Sequence, residues 1–194
     1  GQSYSSDLGP SANGKDDFLI AKYDKNGNQE WIQKWGGDDF DFAYNVLETS
    51  DKGFIVSGRC DSSNVGIDNP YGSNIGVIVK FDKNGNFLWV SECKLFSELG
   101  YTIETYDKGI LAIDYYGSGF VKYNKEGEVE WVKFIMSNQK RIGSVKEMSP
   151  GKYVFNGGKS NQPAKFYYQE GYDNHLEVAN AIEDNIHIDE DASA

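Results

Sequence analysis

Lys22-Tyr-Asp-Lys-Asn-Gly-Asn-Gln-Glu-Trp31 returns as Lys80-Phe-Asp-Lys-Asn-Gly-Asn-Phe-Leu-Trp89 and again as Lys122-Tyr-Asn-Lys-Glu-Gly-Glu-Val-Glu-Trp131. A phrase that recurs at long spacing marks a repeat architecture, in which each unit leaves an apolar face for the next unit to cover. The Trp-to-Trp separations are 58 and 42 residues. The basic period is therefore near 42, and the longer interval holds an insertion.

Reading outward from the phrase gives four short strands per unit. In the first unit Phe18 to Asp24 alternates up to the Lys-Asn-Gly-Asn turn, and Gln29 to Trp35 follows and stops at Gly36-Gly37. Asn-Gly offers the positive φ of a tight two-residue hairpin turn. Tyr44 to Thr49 and Phe54 to Gly58 come next, reversed by Ser-Asp-Lys-Gly at 50 to 53, a turn composition with a backbone reason. These four strands read together as one antiparallel sheet, or blade. The second unit comprises 77–82, 87–93, 101–105 and 110–114, with Asp107-Lys-Gly109 as its turn. The third comprises 120–124, 129–134, 143–146 and 153–156, with Pro150-Gly-Lys152 as its turn, and a fourth begins at Ala164-Lys-Phe166 without the Trp.

Asp61 to Asn74 is the insertion, and Tyr4 to Lys15 matches it in composition and place. Both fall between the same two strands. Each reads first as a solvated polar spacer, with a binding loop as the alternative, because repeated insertions at one junction collect on one rim of a radial assembly. Gly1-Gln-Ser-Tyr-Ser-Ser-Asp7 aligns with Gly58-Arg-Cys-Asp-Ser-Ser-Asn64, so the chain is expected to start in mid-repeat. With Gly1 in place of Met and no signal-peptide pattern, the expectation is a piece excised from a longer protein. Residues 1–172 form the repeat segment. Residues 173–194 form an atypical acidic tail, where Val178, Ile182 and Ile186 keep helical spacing while Ile186-His-Ile188 alternates as a strand would.

The chain carries 19 basic and 30 acidic side chains, a formal charge of −11. Phosphate binding needs clustered Lys and Arg, so no nucleic-acid partner is expected. No apolar run approaches the length of a membrane-spanning helix. Cys60 and Cys93 are expected as buried thiols, Cys93 standing where the other copies have Trp35 and Ile135.

The candidate chemistry is sparse. Trp31, Trp89 and Trp131 hold the same place in every copy and read as packing between blades, in preference to ligand platforms. Asp24 to Asn28 and Asp82 to Asn86 have the oxygen spacing with which a calcium loop opens, but position twelve is Trp35 or Cys93 where such a loop has Glu. A hairpin turn is the preferred reading, and calcium is the sole cofactor the sequence suggests. Asp41, in the run Asp38-Asp-Phe-Asp41, is expected to accept backbone N–H groups and hold the crossing between blades; Asp16-Asp17 reads as a solvated pair. The only histidines, His175 and His187, lie in the tail, so no catalytic triad, cofactor set or metal set is assigned.

The first copy supplies Lys22, Asp24, Gly27, Asn28, Trp31, Gly36, Gly37, Asp41, Ala43, Thr49, Asp51, Gly53, Phe54, Ile55, Val56 and Gly58. This pattern resembles the propeller repeats of bacterial and archaeal surface and secreted proteins. The likeness covers about residues 14 to 168 and weakens along the chain: the third copy has Asn124 and Glu128 for Asp and Asn, and the Gly-Gly and Asp-x-Ala elements are missing from the second and third. A more distant likeness is to quinoprotein-type blades. Both imply an all-β propeller of four-stranded antiparallel blades, and propellers have four to eight of them. Strand counting gives the end of one blade's second strand, its last two strands, two complete blades and a partial third. About three and a half blades are thus expected, with a partner chain, the remainder of a longer protein or the tail completing the ring.

The function expected from this reading is a binding or structural module, extracellular or on the cell surface, without catalysis of its own. Its ligand would be a glycan or protein, met at the channel mouth or the 61–74 insertion. The alternative is a polysaccharide-active hydrolase or lyase using carboxylates in the propeller funnel.

Overall fold

A computed structural model describes residues 2–3, 15–70, 72–136, 142–157 and 165–169. The tail at 173–194 and most of the opening segment at 4–14 lie outside the described residues. Those described are all-β and form fourteen strands in four antiparallel sheets. The chain divides into two compact units, residues 1–100 and 101–194.

In the first unit, β1 (Gln2–Ser3), β2 (Asp17–Tyr23) and β3 (Gln29–Trp35) make one sheet, and β4 (Asp41–Glu48), β5 (Phe54–Cys60), β6 (Ile75–Phe81) and β7 (Phe87–Cys93) make the next in that order. In the second unit the order is β14 (Lys165–Gln169), β11 (Val129–Met136), β10 (Gly119–Tyr123), β9 (Ile110–Asp114) and β8 (Leu99–Glu104). The fourth sheet pairs β12 (Ile142–Ser149) with β13 (Lys152–Gly157).

These sheets correct the four-strand unit read from the repeat, while their grouping follows the strand count, which starts with the end of one sheet's second strand and its last two strands. Phe18 to Gly58 is not one blade, because the break between sheets falls inside it, between β3 and β4. Antiparallel pairing instead runs through β4 to β7, joining the last two strands of one sequence unit to the first two of the next. A sequence repeat has no intrinsic origin, and strands that follow each other with similar spacing do not reveal which gap is a hairpin and which is a crossing. The alignment itself holds: Gln2 pairs with Phe18 as Arg59 pairs with Gly76, in the same strand register.

The second correction concerns Ala164-Lys-Phe166. No fourth copy starts there beside β13; β14 adds to the outer edge of β11, with Val132 opposite Gln169 and Met136 opposite Lys165.

Burial follows position in the sheet. Every residue of β6, β9 and β10 is buried, while β3 and β7 keep half-exposed or exposed side chains. Central strands covered on both faces cannot show period-2 alternation. The core of the first unit gathers Phe18, Ile20, Val56, Cys60, Val77, Val79 and Phe81, with Trp31 and Trp35 packed against it. That of the second gathers Leu111, Ile113, Phe120, Val145 and Tyr153, with Trp131 against it.

Candidate functional site

The five-residue turns of the phrase, expected as hairpin turns with calcium as the alternative, are each built around one side chain. Asp24 Oδ1 accepts the N–H groups of Asn26 and Asn28, each at 2.8 Å, and Asp24 Oδ2 accepts the Asn28 amide at 2.9 Å. The Asp82 turn repeats all three bonds. These bonds, led by the Asn28 and Asn86 amides, hold both carboxyls below the ordinary Asp value. Only Gly27 takes positive φ, +83°, and Gly27 N–H donates to Asp24 C=O at 3.0 Å. The turn is therefore longer than the two-residue form expected from Asn-Gly, with a bulge at Lys22/Tyr23. In the third copy the polarity is exchanged: Asn124 Oδ1 accepts Glu126 and Glu128 N–H, and Asn124 Nδ2 donates to Glu128 Oε2 at 2.8 Å. The two substitutions that weaken the sequence match compensate each other.

The phrase's Lys has a role the sequence reading missed. Lys80 Nζ donates to Thr49 Oγ1 at 2.5 Å and Asp51 Oδ1 at 2.9 Å, so it crosses from β6 to the turn before β5. Lys122 does the same to Asp107, at 2.9 Å, and adds Glu130 at 2.9 Å and the Tyr123 carbonyl. A Cβ on Gly53 would lie 2.9 Å from Lys80 Nζ, and one on Gly109 would lie 2.3 Å from Lys122 Nζ. Thr, Asp, Gly and the next copy's Lys are thus one device, and both ammonium groups are buried. The signal was available as the joint recurrence of Thr-x-Asp-x-Gly with the following Lys.

Trp31 and Trp131 pack as expected. Trp31 meets Phe54 of the adjoining sheet edge to face at 5.4 Å, and Trp131 meets Tyr153 at 6.4 Å in the same relation. Gly85 of the β6–β7 turn rests on the Trp31 ring, where a Cβ would come within 2.9 Å. Cys60 and Cys93 are buried and form no disulfide. Burial and the Asp41 carboxylate hold the Cys60 thiol well above its ordinary value, hence neutral.

The acidic run at 38–41 organises the crossing from β3 to β4. Asp41 Oδ2 accepts Gly37 N–H at 2.9 Å and the Ser62 hydroxyl at 2.8 Å, and Asp41 N–H donates to the Asp16 carbonyl at 2.7 Å. Asp41 holds the crossing, as expected. Asp16 and Asp17 do not form the solvated pair expected of them: they are 3 % and 2 % exposed, and one oxygen of each, with Asp41 Oδ1, is buried without a hydrogen-bond partner. Asp17 and Asp41 converge on Gly36, where a Cβ would stand 2.3 Å from Asp17 Oδ1 and 2.7 Å from Asp41 Oδ2. Burial above all raises both carboxyls; Asp41's charge then raises Asp17 further, while Lys34 opposes this.

The insertion is docked along this crossing, which corrects its reading as a solvated spacer. Ser63 gives its N–H and hydroxyl to the two oxygens of Asp38, at 2.8 and 2.9 Å, and Asp38 N–H donates to Asn64 Oδ1. Asn69 bonds the Ser62 and Ser73 carbonyls, and Val65 and Ile67 pack on the core. Arg59 holds the loop's first residue, Asp61, with two bonds of 2.6 and 2.7 Å, and lies over Phe42. Gly37 is needed because Asn64 Oδ1 would stand 2.0 Å from its Cβ.

In the second unit the corresponding connection, β9 to β10, is the short turn Asp114–Ser118. Asp114 Oδ2 accepts Ser118 N–H at 3.1 Å and the Ser118 hydroxyl, and Gly117, at φ +69°, donates to the Asp114 carbonyl at 2.7 Å. The turn presents Tyr115 and Tyr116, about half exposed, with ring centroids 5.5 Å apart and planes at 88°. Among the described residues, no three His, Cys, Asp or Glu side chains are grouped as a metal cage requires. No family model matches this chain, and no curated protein matches it.

Proposed function

We propose that this chain is a segment of a β-propeller of the bacterial and archaeal surface-protein type that its phrase resembles. In this reading it is an extracellular or cell-surface module, without catalysis of its own, that recognises a glycan or protein through the connections between the second and third strands of its sheets. The observation carrying the reading is the Tyr115–Tyr116 pair on a braced turn. Two amphipathic rings fixed at right angles offer an apolar face to sugar C–H groups or a peptide with little entropy lost on binding. Within the first unit the docked insertion occupies the corresponding connection and supports the reading, since its backbone is fixed while Ser63, Asn64 and Asp68 remain exposed. The two-stranded β12–β13 sheet is then a blade completed by further sequence or a second chain.

A glycan panel run with the chain and with Tyr115→Ala/Tyr116→Ala, alongside a reducing-sugar release assay, tests this. Saturable binding that the double variant loses is the expected result. Release of product would overturn the non-catalytic reading, and binding unchanged in the variant would move the site elsewhere.

A further inference from the structure

The acids buried at Gly36 are not required by the architecture, because the second copy builds the equivalent place without them. The residue five before the phrase's Lys is Asp17, then Ile75, then Gly117; the tenth beyond its Trp is Asp41, then Leu99, then Arg141. Gly36-Gly37 becomes Lys94-Leu95 and Met136-Ser137. Acid pair and glycines thus occur together in one copy and are absent together from the other two. In the second copy Ile75 and Leu99 are buried, and a Cβ on Gly76 would stand 2.8 Å from Leu99 Cγ. An apolar pair fills the site there.

Burying carboxylates where hydrocarbon serves needs a counter-charge. Asp17 Oδ1, Asp16 Oδ1 and Asp41 Oδ1 are all buried without a hydrogen-bond partner, and such orphans call for an ion or a proton. The groups facing the pair from each neighbouring element are Asp16 on the approach to β2, Lys34 on β3, Gly37 N–H in the crossing, and Cys60 and Ser62 at the end of β5. Lys34 is the one cation among them. Lys15 is bound to Asp39, and Arg59 to Asp61. With no three-ligand cage among the described residues, a proton is the counter-charge that fits.

We propose that Asp17 and Asp41 form a proton-holding joint: the folded chain keeps a proton on the pair in mildly acidic conditions, and losing it as pH rises loosens the Gly36–Asp41 crossing together with the loop docked on it. The raised carboxyls of both residues agree with the geometry. A group protonated more readily in the folded state contributes stability that is complete below 3.8, the ordinary Asp value, and that is lost as pH rises through the folded value.

The test is urea unfolding of the 194-residue chain from just above pH 3.8 to neutrality, with amide exchange read at Gly37, whose N–H is held by Asp41. The unfolding midpoint should fall across that interval, with Gly37 protection dropping about tenfold for each unit by which the pair is raised. Asp17→Asn should flatten both trends. A midpoint that does not fall, or falls equally in Asp17→Asn, overturns the proposal. Should that variant not fold, carbon-13 titration of the parent's carboxyls decides: one of the pair titrating above 3.8 supports the joint, and both at or below 3.8 overturns it.

Discussion

Gly27 and Gly36 show two different reasons for a glycine. Gly27 sits at φ +83° with open space around its α-carbon, so Gly27→Ala meets only the backbone cost of the left-handed region, about 1 kcal/mol. Gly36 has no such φ, but its Cβ position is occupied by two carboxylates. Gly36→Ala must displace buried groups and should cost more, about 2–3 kcal/mol by the measure of overpacked cores. Urea midpoints of the two variants check the order; equal losses would mean that the crossing yields easily. In sequence both glycines look alike, as turn or stop signals. Only the first was legible, because a close approach from Asp17 is invisible to local pattern.

Between elements, the Lys80 and Lys122 devices differ in one partner. Lys122 has Glu130 beside Asp107, whereas the residue at the Glu130 position in the second copy is Leu88. Asp51→Ala should therefore leave the buried Lys80 ammonium with Thr49 alone; because Asp51 itself is more than half exposed, solvent screening holds the cost to about 1 kcal/mol. Asp107→Ala should cost clearly less, because Glu130 remains. Comparable losses by thermal or urea unfolding would remove Glu130 from the account. The hairpin turns make a second prediction. Asn124→Asp alone sets two carboxylates against each other at Glu128 and should destabilise the β10–β11 hairpin, while Asn124→Asp with Glu128→Asn restores the arrangement of the first two copies and should recover it. The strands themselves were legible almost to the residue, since hairpin 17–35 and strands 87–93 and 110–114 follow from alternation and turn residues. Their grouping was legible in the strand count but not in the repeat unit, and the pairing of β14 with β11 was legible in neither, because pairing partners are set by contacts across the chain.

For the whole molecule, two sets of carboxylates act in opposite directions with pH. Burial raises Asp51 and Asp107, but the Thr49 and Thr105 hydroxyls, the Lys80 and Lys122 ammonium groups and the backbone N–H groups outweigh it and hold both down at about 2. Their contribution is present above 3.8 and is lost as pH falls toward about 2. The Asp17–Asp41 pair loses its contribution on the other side, as pH rises above 3.8. Stability should therefore peak in mildly acidic solution. Thr49→Val/Thr105→Val should lower stability near neutrality and shrink the loss on the acid side, because both carboxyls then move back toward 3.8, and should leave the alkaline side unchanged, which circular dichroism melts across pH can read. Both carboxylates are more than half exposed, so solvent screening keeps this acid-side effect modest. By itself the sequence determined the all-β class, the strand positions, the period and the turns, because each rests on local spacing and on backbone preferences of a few residues. Only the tertiary structure decided that β14 joins β11, that Lys80 and Lys122 are buried, that the insertion is docked and that Asp16 and Asp17 face inward. Each of these depends on groups far apart in the chain meeting out of water, and charge, hydrogen bonding and close approach there follow from the neighbours the fold supplies.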